Sequence, residues 1–395
     1  MNRHAFAAGI AATLSLAAIS PALHAEEIKP STPVAVGDEI VPPASVDPAL
    51  PGIRVVGLGG TIVSTAKGRF RYQSYDTPRI SIESLVERLQ PEIADIANVS
   101  ILKASDIGSQ DITTEYLHEL TLAIDKSLAE PDVQGVVVTT GTSVMEEVAY
   151  WLDLTLRSDK PVVVTGSMRQ ANTASWDGEG NLFNAIRLAA SQKTTCYGTV
   201  IMMDDSFFAA REVTKSDAVR MDTFQARRTG TLGWVDEDRI RAIHAPARVL
   251  DCKTPEWATP FDMNSIAVSD IPRVDVAYSY VDAAGETISG LVDAGVKGIV
   301  TAGTGGGGLS AEQKAARDSA IARGVLFVSA NRTGSGSSYG SGPGVLPAGD
   351  LLPQKARMLL QLGLATGADE DVIKGWFLTI GRPDFDMSPD GGHTK

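Results

Sequence analysis

The sequence predicts an α/β fold with two domains, a larger N-terminal domain built on a parallel sheet and a smaller C-terminal α/β domain. Short apolar runs alternate along the chain with longer segments whose apolar residues recur at helical spacing. That alternation is typical of parallel sheets with helical crossovers. Roughly 340 residues follow position 51, a length that accommodates two domains.

The first 25 residues have the pattern of a secretory leader, so we predict a cleavable signal peptide at residues 1–25. Arg3 and His4 precede an apolar stretch at residues 5–18, and Ala22-Leu23-His24-Ala25 ends this segment with small residues. The apolar stretch is too short to span a bilayer. We therefore expect export to the periplasm.

Residues 26–51 are rich in proline and acidic residues, and we predict a flexible linker there. Across the whole chain, 35 lysines and arginines stand against 48 aspartates and glutamates, which gives a net charge of -13. Basic residues form no cluster in the sequence. Nucleic acids and anionic membranes are therefore unfavourable partners.

Four apolar runs predict the parallel strands of the N-terminal domain, residues 52–245. These runs cover residues 53–57, 135–139, 161–166 and 199–203. A helix that begins near Ser143 has one apolar face, formed by Met145, Val148, Leu152 and Leu156. A second helix is predicted at residues 181–190.

Residues 246–271 contain few long apolar runs and several prolines, so we interpret them as the interdomain connection. The C-terminal domain, residues 272–380, has predicted strands at residues 274–280, 298–302 and 324–329. Its helices are predicted at residues 290–294, 311–322 and 353–365. Residues 381–395 read as a loose, mildly acidic tail.

Two of the predicted strands end in loops that carry hydroxyl groups. One run continues through Gly59 and Gly60 to Thr61, and another through Gly141 to Thr142 and Ser143. Open α/β sheets bind ligands at the carboxyl ends of their strands, so the two loops suggest nucleophilic chemistry. Buried strands followed by ordinary polar turns would explain either loop equally well.

Histidine is scarce, which disfavours a Ser-His-Asp triad and a histidine-rich metal site. Of the five histidines, only His118 and His244 lie between the leader and the tail, and neither adjoins a nucleophile-like motif. A threonine hydroxyl can instead be activated by lysine or tyrosine. Lys215 and Tyr75 are the candidates, although each could equally be an exposed side chain; burial of Lys215 beside Thr142 would lower its pKa.

Only two cysteines occur, Cys196 and Cys252. In an exported protein they can form one disulfide, but two separate buried thiols are an equally acceptable interpretation, since sequence does not reveal their distance. Two cysteines do not make a zinc site.

Taken in order, these motifs resemble those of bacterial type II, periplasmic L-asparaginases and glutaminase-asparaginases over about residues 52–380. The matching segments, apart from Tyr75, are Gly59-Gly60-Thr61-Ile62, Ile107-Gly108-Ser109-Gln110-Asp111, Gly141-Thr142-Ser143-Val144-Met145-Glu146-Glu147, Lys160-Pro161-Val162-Val163-Val164-Thr165-Gly166-Ser167-Met168-Arg169, Val213-Thr214-Lys215 and Pro353-Gln354-Lys355-Ala356-Arg357.

The resemblance implies a flavodoxin-like N-terminal domain and a set of catalytic roles. Thr61 is expected to attack the side-chain amide carbonyl of the substrate, with Tyr75 assisting from a mobile lid. Thr142 and Lys215 are expected to form a second hydroxyl–base pair for proton transfer or water activation.

The resemblance also implies how the substrate is held and how the chains assemble. Ser109 and Gln110 would hold the substrate α-carboxylate, and Gly60, Gly141 and Ser143 would line the same site. No cofactor and no metal are expected. A homotetramer is expected, in which each site is closed by the smaller domain of a neighbouring subunit.

Two departures from the family pattern concern the substrate ammonium. The family has an aspartate where this chain has Ser143, and a glutamate on a C-terminal-domain loop that here, at residues 334–349, contains no acidic residue. A buried charge without its partner costs about 3–5 kcal/mol. Asp282 lies where the family often has an asparagine. It is a candidate to supply the missing negative charge beside the substrate ammonium, and an exposed turn residue is the alternative interpretation.

Three functional hypotheses follow from the sequence. The first is a periplasmic amidohydrolase acting on L-asparagine, with L-glutamine as a further substrate. The second is the same chemistry on a related amide whose α-nitrogen is acylated or missing. The third is a non-catalytic periplasmic solute-binding protein, although a binder has no reason to keep Thr61, Tyr75, Thr142 and Lys215 together.

Overall fold

The computed structural model of the chain describes residues 35–385. The predicted leader, residues 26–34 of the predicted linker and residues 386–395 of the predicted tail lie outside these residues. Within residues 35–385 the chain forms a nine-stranded sheet and a four-stranded sheet, both flanked by helices. The predicted fold class, a two-domain α/β protein, is confirmed.

The nine-stranded sheet belongs to the N-terminal domain. In chain order, the strands of this domain are β1 (Glu39–Val41), β2 (Gly52–Gly57), β3 (Asn98–Lys103), β4 (Gly135–Thr139), β5 (Val162–Thr165), β6 (Thr199–Met203), β7 (Ser206–Ala209), β8 (Thr214–Lys215), β9 (Phe224–Gln225), β10 (Gly233–Asp236) and β11 (Arg239–Ala242). The sheet order is β1-β3-β2-β4-β5-β6-β7-β10-β11, and β8 pairs with β9 in a separate ladder. The central strands β3, β2, β4, β5 and β6 are parallel to one another, whereas the outer strands are antiparallel to their neighbours.

Helices cover both faces of this sheet, and for that reason its central strands are continuously apolar. The helices are α1 (Ile82–Glu87), α2 (Thr114–Ala129), α3 (Met145–Thr155) and α4 (Gly178–Ala190). Successive residues of β4 point to opposite faces. Val138 packs in the cluster that contains α2 and α3, and Val137 packs in the cluster that contains α1 and α4.

The C-terminal domain contains a parallel sheet whose four strands follow one another in order: β12 (Val274–Tyr278), β13 (Gly298–Gly303), β14 (Leu326–Asn331) and β15 (Val345–Pro347). Its helices are α5 (Glu286–Asp293), α6 (Ala311–Ala322), α7 (Pro353–Ala365) and α8 (Glu370–Thr379). Helix α7 packs on β12, β13 and β14 and also on α3, so the two domains share one continuous apolar cluster.

Part of the predicted linker is ordered instead: residues 39–41 form strand β1, whereas residues 42–51 contain no further strand or helix. Glu39–Val41 pairs antiparallel with β3, and Lys103 on β3 contacts Glu39 at 2.8 Å. The backbone N–H of Asp47 donates to Asn98 Oδ1 at 2.8 Å, and Asn98 Nδ2 donates back to the Asp47 carbonyl at 2.8 Å. The edge of β3 offers unpaired backbone groups that an extended segment satisfies, and composition does not report such long-range pairing.

Cys196 and Cys252 form a disulfide, with their Cα atoms 5.4 Å apart. This result decides between the two interpretations that the sequence left open. The bond ties the turn before β6 to the interdomain connection, which contains three short 3₁₀ helices (Ala247–Asp251, Pro255–Trp257 and Val268–Asp270). Among residues 35–385, no helix is long and apolar enough to cross a membrane.

Candidate active site

The loops that follow β2 and β4 meet at the carboxyl edge of the large sheet. Gly60 has φ 88°, and a Cβ atom placed on it would lie 2.4 Å from the Gly141 nitrogen. A Cβ atom on Gly141 would in turn lie 2.6 Å from Ser109 Cβ. Only glycine permits these approaches, which bring the loops carrying Thr61, Thr142 and Ser109 together.

Thr61 is the first residue of a 3₁₀ helix, Thr61–Val63, and only 9% of its surface is exposed. Its Oγ1 lies 3.0 Å from the Tyr75 hydroxyl. A phenol at this distance can exchange a proton with the threonine hydroxyl. The structure therefore places Tyr75 within hydrogen-bond distance of Thr61, the residue that the family resemblance expects it to assist.

Tyr75 itself is exposed on a loop, residues 64–78, that is attached to a second loop after β5. Gln170 is fully buried, and its Nε2 donates to the carbonyls of Ser74 at 3.0 Å and Tyr72 at 3.2 Å. Asn172 donates to the Ala66 carbonyl and accepts from the Ala66 N–H. These bonds position Tyr75 over Thr61, and sequence reasoning missed both Gln170 and Asn172.

A second hydroxyl–base pair lies beside the first. Lys215 Nζ donates to Thr142 Oγ1 at 2.8 Å, and Thr142 is 6% exposed. Desolvation by burial lowers the pKa of Lys215 below its usual value, and the charge of Asp217 opposes that shift only in part. A lysine with a lowered pKa is neutral, and able to accept a proton, at a lower pH than an exposed one.

The other residues predicted to bind substrate lie at the surface, on different loops. Ser109 begins a short 3₁₀ helix, Ser109–Asp111, and the adjacent Gln110 is exposed. Ser143 directly follows Thr142 and is also exposed. Asp282 lies on an exposed turn after β12 with φ 59°. Within residues 35–385, no hydrogen bond or ion pair joins Asp282 to the other site residues, and its role in substrate binding stays a prediction.

Arg79 is a further residue that sequence reasoning missed. Its guanidinium donates to the Gly60 carbonyl at 3.1 Å and forms an ion pair with Asp106 at 2.7 Å. This contact holds the carbonyl of the residue before Thr61. A single arginine in a polar loop gives no sequence signal, because its partner Asp106 lies after a different strand.

The arrangement is suited to acyl transfer. Two threonine hydroxyls lie at neighbouring strand ends, and each is hydrogen-bonded to a different proton acceptor or donor. One hydroxyl can act as nucleophile while the other pair moves a proton or activates water. Thr142 is buried, and Ser143, which follows it in the chain, is exposed to solvent.

Two protein-family models match the chain. The model described as "Asparaginase, N-terminal" matches residues 52–248, and the one described as "Glutaminase/Asparaginase C-terminal domain" matches residues 273–377. The chain is similar to L-asparaginase 2 of Bacillus subtilis, with 37% identity over 339 residues that cover 85% of this chain and 88% of that protein.

Other relatives have similar coverage. A probable periplasmic L-asparaginase of Haemophilus influenzae is 35% identical and matches 83% of this chain and 93% of its own length. L-asparaginase 2 of Escherichia coli is 35% identical with the same coverage. Among solved structures, a probable cytoplasmic L-asparaginase of Campylobacter jejuni has a TM-score of 0.77 and 33% identity, and the match covers 83% of this chain and 99% of that one.

Proposed function

The chain belongs to the asparaginase family and is an amidohydrolase, and from that premise we propose that it hydrolyses the side-chain amide of L-asparagine to the acid and ammonia. L-glutamine is a second expected substrate. The observation that carries the proposal is the pair of bonded hydroxyls, with Thr61 Oγ1 3.0 Å from Tyr75 Oη and Thr142 Oγ1 2.8 Å from Lys215 Nζ.

The reaction proceeds through an ester on Thr61. Thr61 Oγ1 attacks the amide carbonyl carbon while its proton passes to Tyr75 and on to the departing nitrogen. The C–N bond breaks, ammonia leaves and the acyl group remains on Thr61. Water then attacks the ester carbonyl carbon while the Thr142–Lys215 pair takes up its proton. The bond between the acyl carbon and Thr61 Oγ1 breaks, that oxygen regains a proton, and the acid is released. Ser109 and Gln110 hold the substrate α-carboxylate.

Replacement of the nucleophile tests this mechanism. Thr61→Ala removes the hydroxyl and one methyl group, so ammonia release should be abolished while circular dichroism and the thermal midpoint stay close to wild type. Thr142→Ala and Lys215→Met should each lower turnover by roughly a thousandfold or more, because the two residues act as a unit. Thr287→Ala, which removes an exposed hydroxyl from α5, serves as the matched control. Near-normal ammonia release by Thr61→Ala would contradict the role of Thr61 as nucleophile.

A second candidate substrate is an amide without a free α-ammonium, either N-blocked or deaminated. Ser143 carries no charge at the position where the family has an aspartate, and Asp282 has no bond to the site within the described chain. An uncharged pocket wall favours a neutral α-substituent over a cation. Ammonia release from asparagine compared with N-acetylasparagine separates the two candidates. The solute-binding hypothesis is disfavoured by the family membership.

We also propose that the mature protein works in the periplasm. The leader pattern at residues 1–25 and the Cys196–Cys252 disulfide both suit an oxidising compartment. One relative is named as periplasmic and one solved relative as cytoplasmic, so family membership alone does not assign the compartment. Cell fractionation with N-terminal mapping tests the proposal, and an uncleaved protein in the cytosol would contradict it.

A further inference from the structure

A fully buried lysine of the C-terminal domain has no part in the chemistry above. Lys355 lies in the first turn of α7, and its side chain has no exposed surface. Its Nζ donates to the carbonyls of Ala210 at 2.7 Å, Arg211 at 3.0 Å and Val213. These carbonyls belong to the residues that directly precede β8, the strand that carries Lys215. Three hydrogen bonds use all the donors that a lysine ammonium has.

Glu146 extends this contact to the loop that carries Thr142. Glu146 lies in the first turn of α3, and its Oε2 is 3.8 Å from Lys355 Nζ. Its other oxygen, Oε1, accepts a hydrogen bond from Thr214 Oγ1 at 3.0 Å. Thr214 is the neighbour of Lys215, and Glu146 follows Thr142 by four residues. Lys355 and Glu146 therefore join the backbones on both sides of the Thr142–Lys215 pair.

Arg211 attaches the same segment to the C-terminal domain a second time. Its Nε donates to the Gly381 carbonyl at 3.0 Å, and its guanidinium is paired with Asp350. Lys215, by contrast, is only half-buried, and the bond to Thr142 is the contact that orients its amine. The position of Lys215 Nζ therefore depends on the backbone of the residues that precede Lys215.

We propose that Lys355 is a positioning residue that fixes Lys215 Nζ against Thr142 Oγ1 by holding the carbonyls of residues 210–213 and the Glu146–Thr214 bond. The proposal rests on the proposed function, in which Thr142 and Lys215 act as a pair. The C-terminal domain then contributes to catalysis within its own chain. A misplacement of about 1 Å in such a pair can cost about a hundredfold in rate.

A double-mutant cycle on kcat tests the proposal. Lys355→Met should lower kcat for ammonia release about tenfold or more and change KM less than about threefold, because substrate contacts are untouched. In a Lys215→Met background the same change should alter kcat less than about threefold, since the pair is already lost. An equal loss in both backgrounds would mean that Lys355 is merely structural and would overturn the proposal.

Lys160 provides a matched control. Its Nζ also donates to three backbone carbonyls, those of Leu128, Glu130 and Val133, but in a part of the N-terminal domain that does not carry Thr142 or Lys215. Lys160→Met should lower the denaturation midpoint as Lys355→Met does, yet leave kcat within about twofold of wild type. An equal loss of kcat in both variants would refute a specific positioning role.

Two further measurements keep the test decisive if Lys355→Met does not fold. Thr214→Val removes one hydroxyl at nearly constant shape, and its loss of kcat should also disappear in the Lys215→Met background. A crystal structure of Thr214→Val or Lys355→Met should show Lys215 Nζ moved out of hydrogen-bond reach of Thr142, and an unchanged distance would overturn the proposal. Near-normal kcat in Lys215→Met alone would instead contradict the proposed function.

Discussion

At the scale of single residues, the two threonines differ in what each can do because they differ in their partners. Thr61 is bonded to a phenol that is exposed on a loop, whereas Thr142 is bonded to an amine that burial makes less basic than usual. Ser143 is one of the two departures from the family pattern. It places an uncharged hydroxyl directly beside the second pair.

Ser143→Asp tests substrate choice at this position. A carboxylate there would attract the α-ammonium of free asparagine and penalise a substrate that lacks it. We expect kcat/KM for asparagine to rise about tenfold or more and activity on N-acetylasparagine to fall, measured as ammonia release. Ser143→Asn, which has similar size but no charge, is the control. An unchanged ratio of the two activities would indicate that another carboxylate, such as Asp282, already binds the ammonium.

The pH dependence of turnover tests the role of Lys215. Burial lowers the pKa of Lys215 from 10.5, so the neutral amine forms as pH rises through that lowered value, and kcat should rise with it. Asp217 raises the pKa of Lys215, so Asp217→Asn should move this limb to lower pH. The asparagine oxygen can still accept the Val219 and Arg220 N–H groups that Asp217 Oδ1 binds. A limb that moves to higher pH in this variant would contradict the assignment.

At the scale of secondary-structure elements, contacts between distant segments hold in place parts of the chain that have no strong local pattern of their own. The short strand β1 covers the edge of β3, and the disulfide fastens the start of β6 to the connection between the domains. Trp257, within that connection, is buried and donates from its indole nitrogen to the Cys196 carbonyl at 2.9 Å. The irregular connection is therefore anchored at one cysteine by both a covalent and a hydrogen bond.

Removal of the disulfide should measurably destabilise the protein. The cysteines are 56 residues apart, and closing a loop of that length restricts the unfolded chain by about 4 kcal/mol in the chain-entropy model. Cys252→Ser should lower the urea midpoint, with a loss of about 2–4 kcal/mol in the free energy of unfolding. Reductant should lower the midpoint of wild type but not of the variant. Equal midpoints for oxidised and reduced wild type would contradict this expectation.

At the scale of the whole molecule, the C-terminal domain exposes large apolar side chains near the end of β12. Val281 is 90% exposed, and Tyr278 and Tyr280 are about half-exposed beside Asp282. Tyr339, on the loop that lacks the family's glutamate, is also exposed. Clustered exposed apolar residues are typical of an interaction surface. The homotetramer that the family resemblance implies stays a prediction, and this surface is where we expect a neighbouring chain to bind.

Light scattering should therefore find an oligomer, with four chains expected. Val281→Asp places a charge on this surface and should shift the population towards smaller species without changing the circular dichroism. Ammonia release should fall in parallel with dissociation if a neighbouring chain closes each site. Val372→Asp, on the exposed face of α8, is a control of the same chemistry. A fully active monomer would show that the site is complete within one chain.

What the sequence determined by itself is local. Apolar periodicity predicted most of the buried strands, and the helix bounds Ala311–Ala322 and Pro353–Ala365 agree with the structure to the residue. It did not predict the buried central strand β3, and it gave no bounds for the longest helix, α2. Ordered motifs singled out Thr61, Tyr75, Thr142 and Lys215, because nucleophile loops have their own glycine and hydroxyl pattern. These signals depend on neighbours along the chain.

Only the tertiary structure decided which distant groups meet. Strand β1 pairs with β3, and Cys196 bonds to Cys252, although the partners are far apart in the chain. Arg79, after β2, likewise contacts Asp106, which follows a different strand. Lys355 is the clearest case, because its partners lie more than a hundred residues away in the other domain. Such contacts depend on chain topology and on the need to satisfy each buried polar group, and neither leaves a pattern in a single segment of sequence.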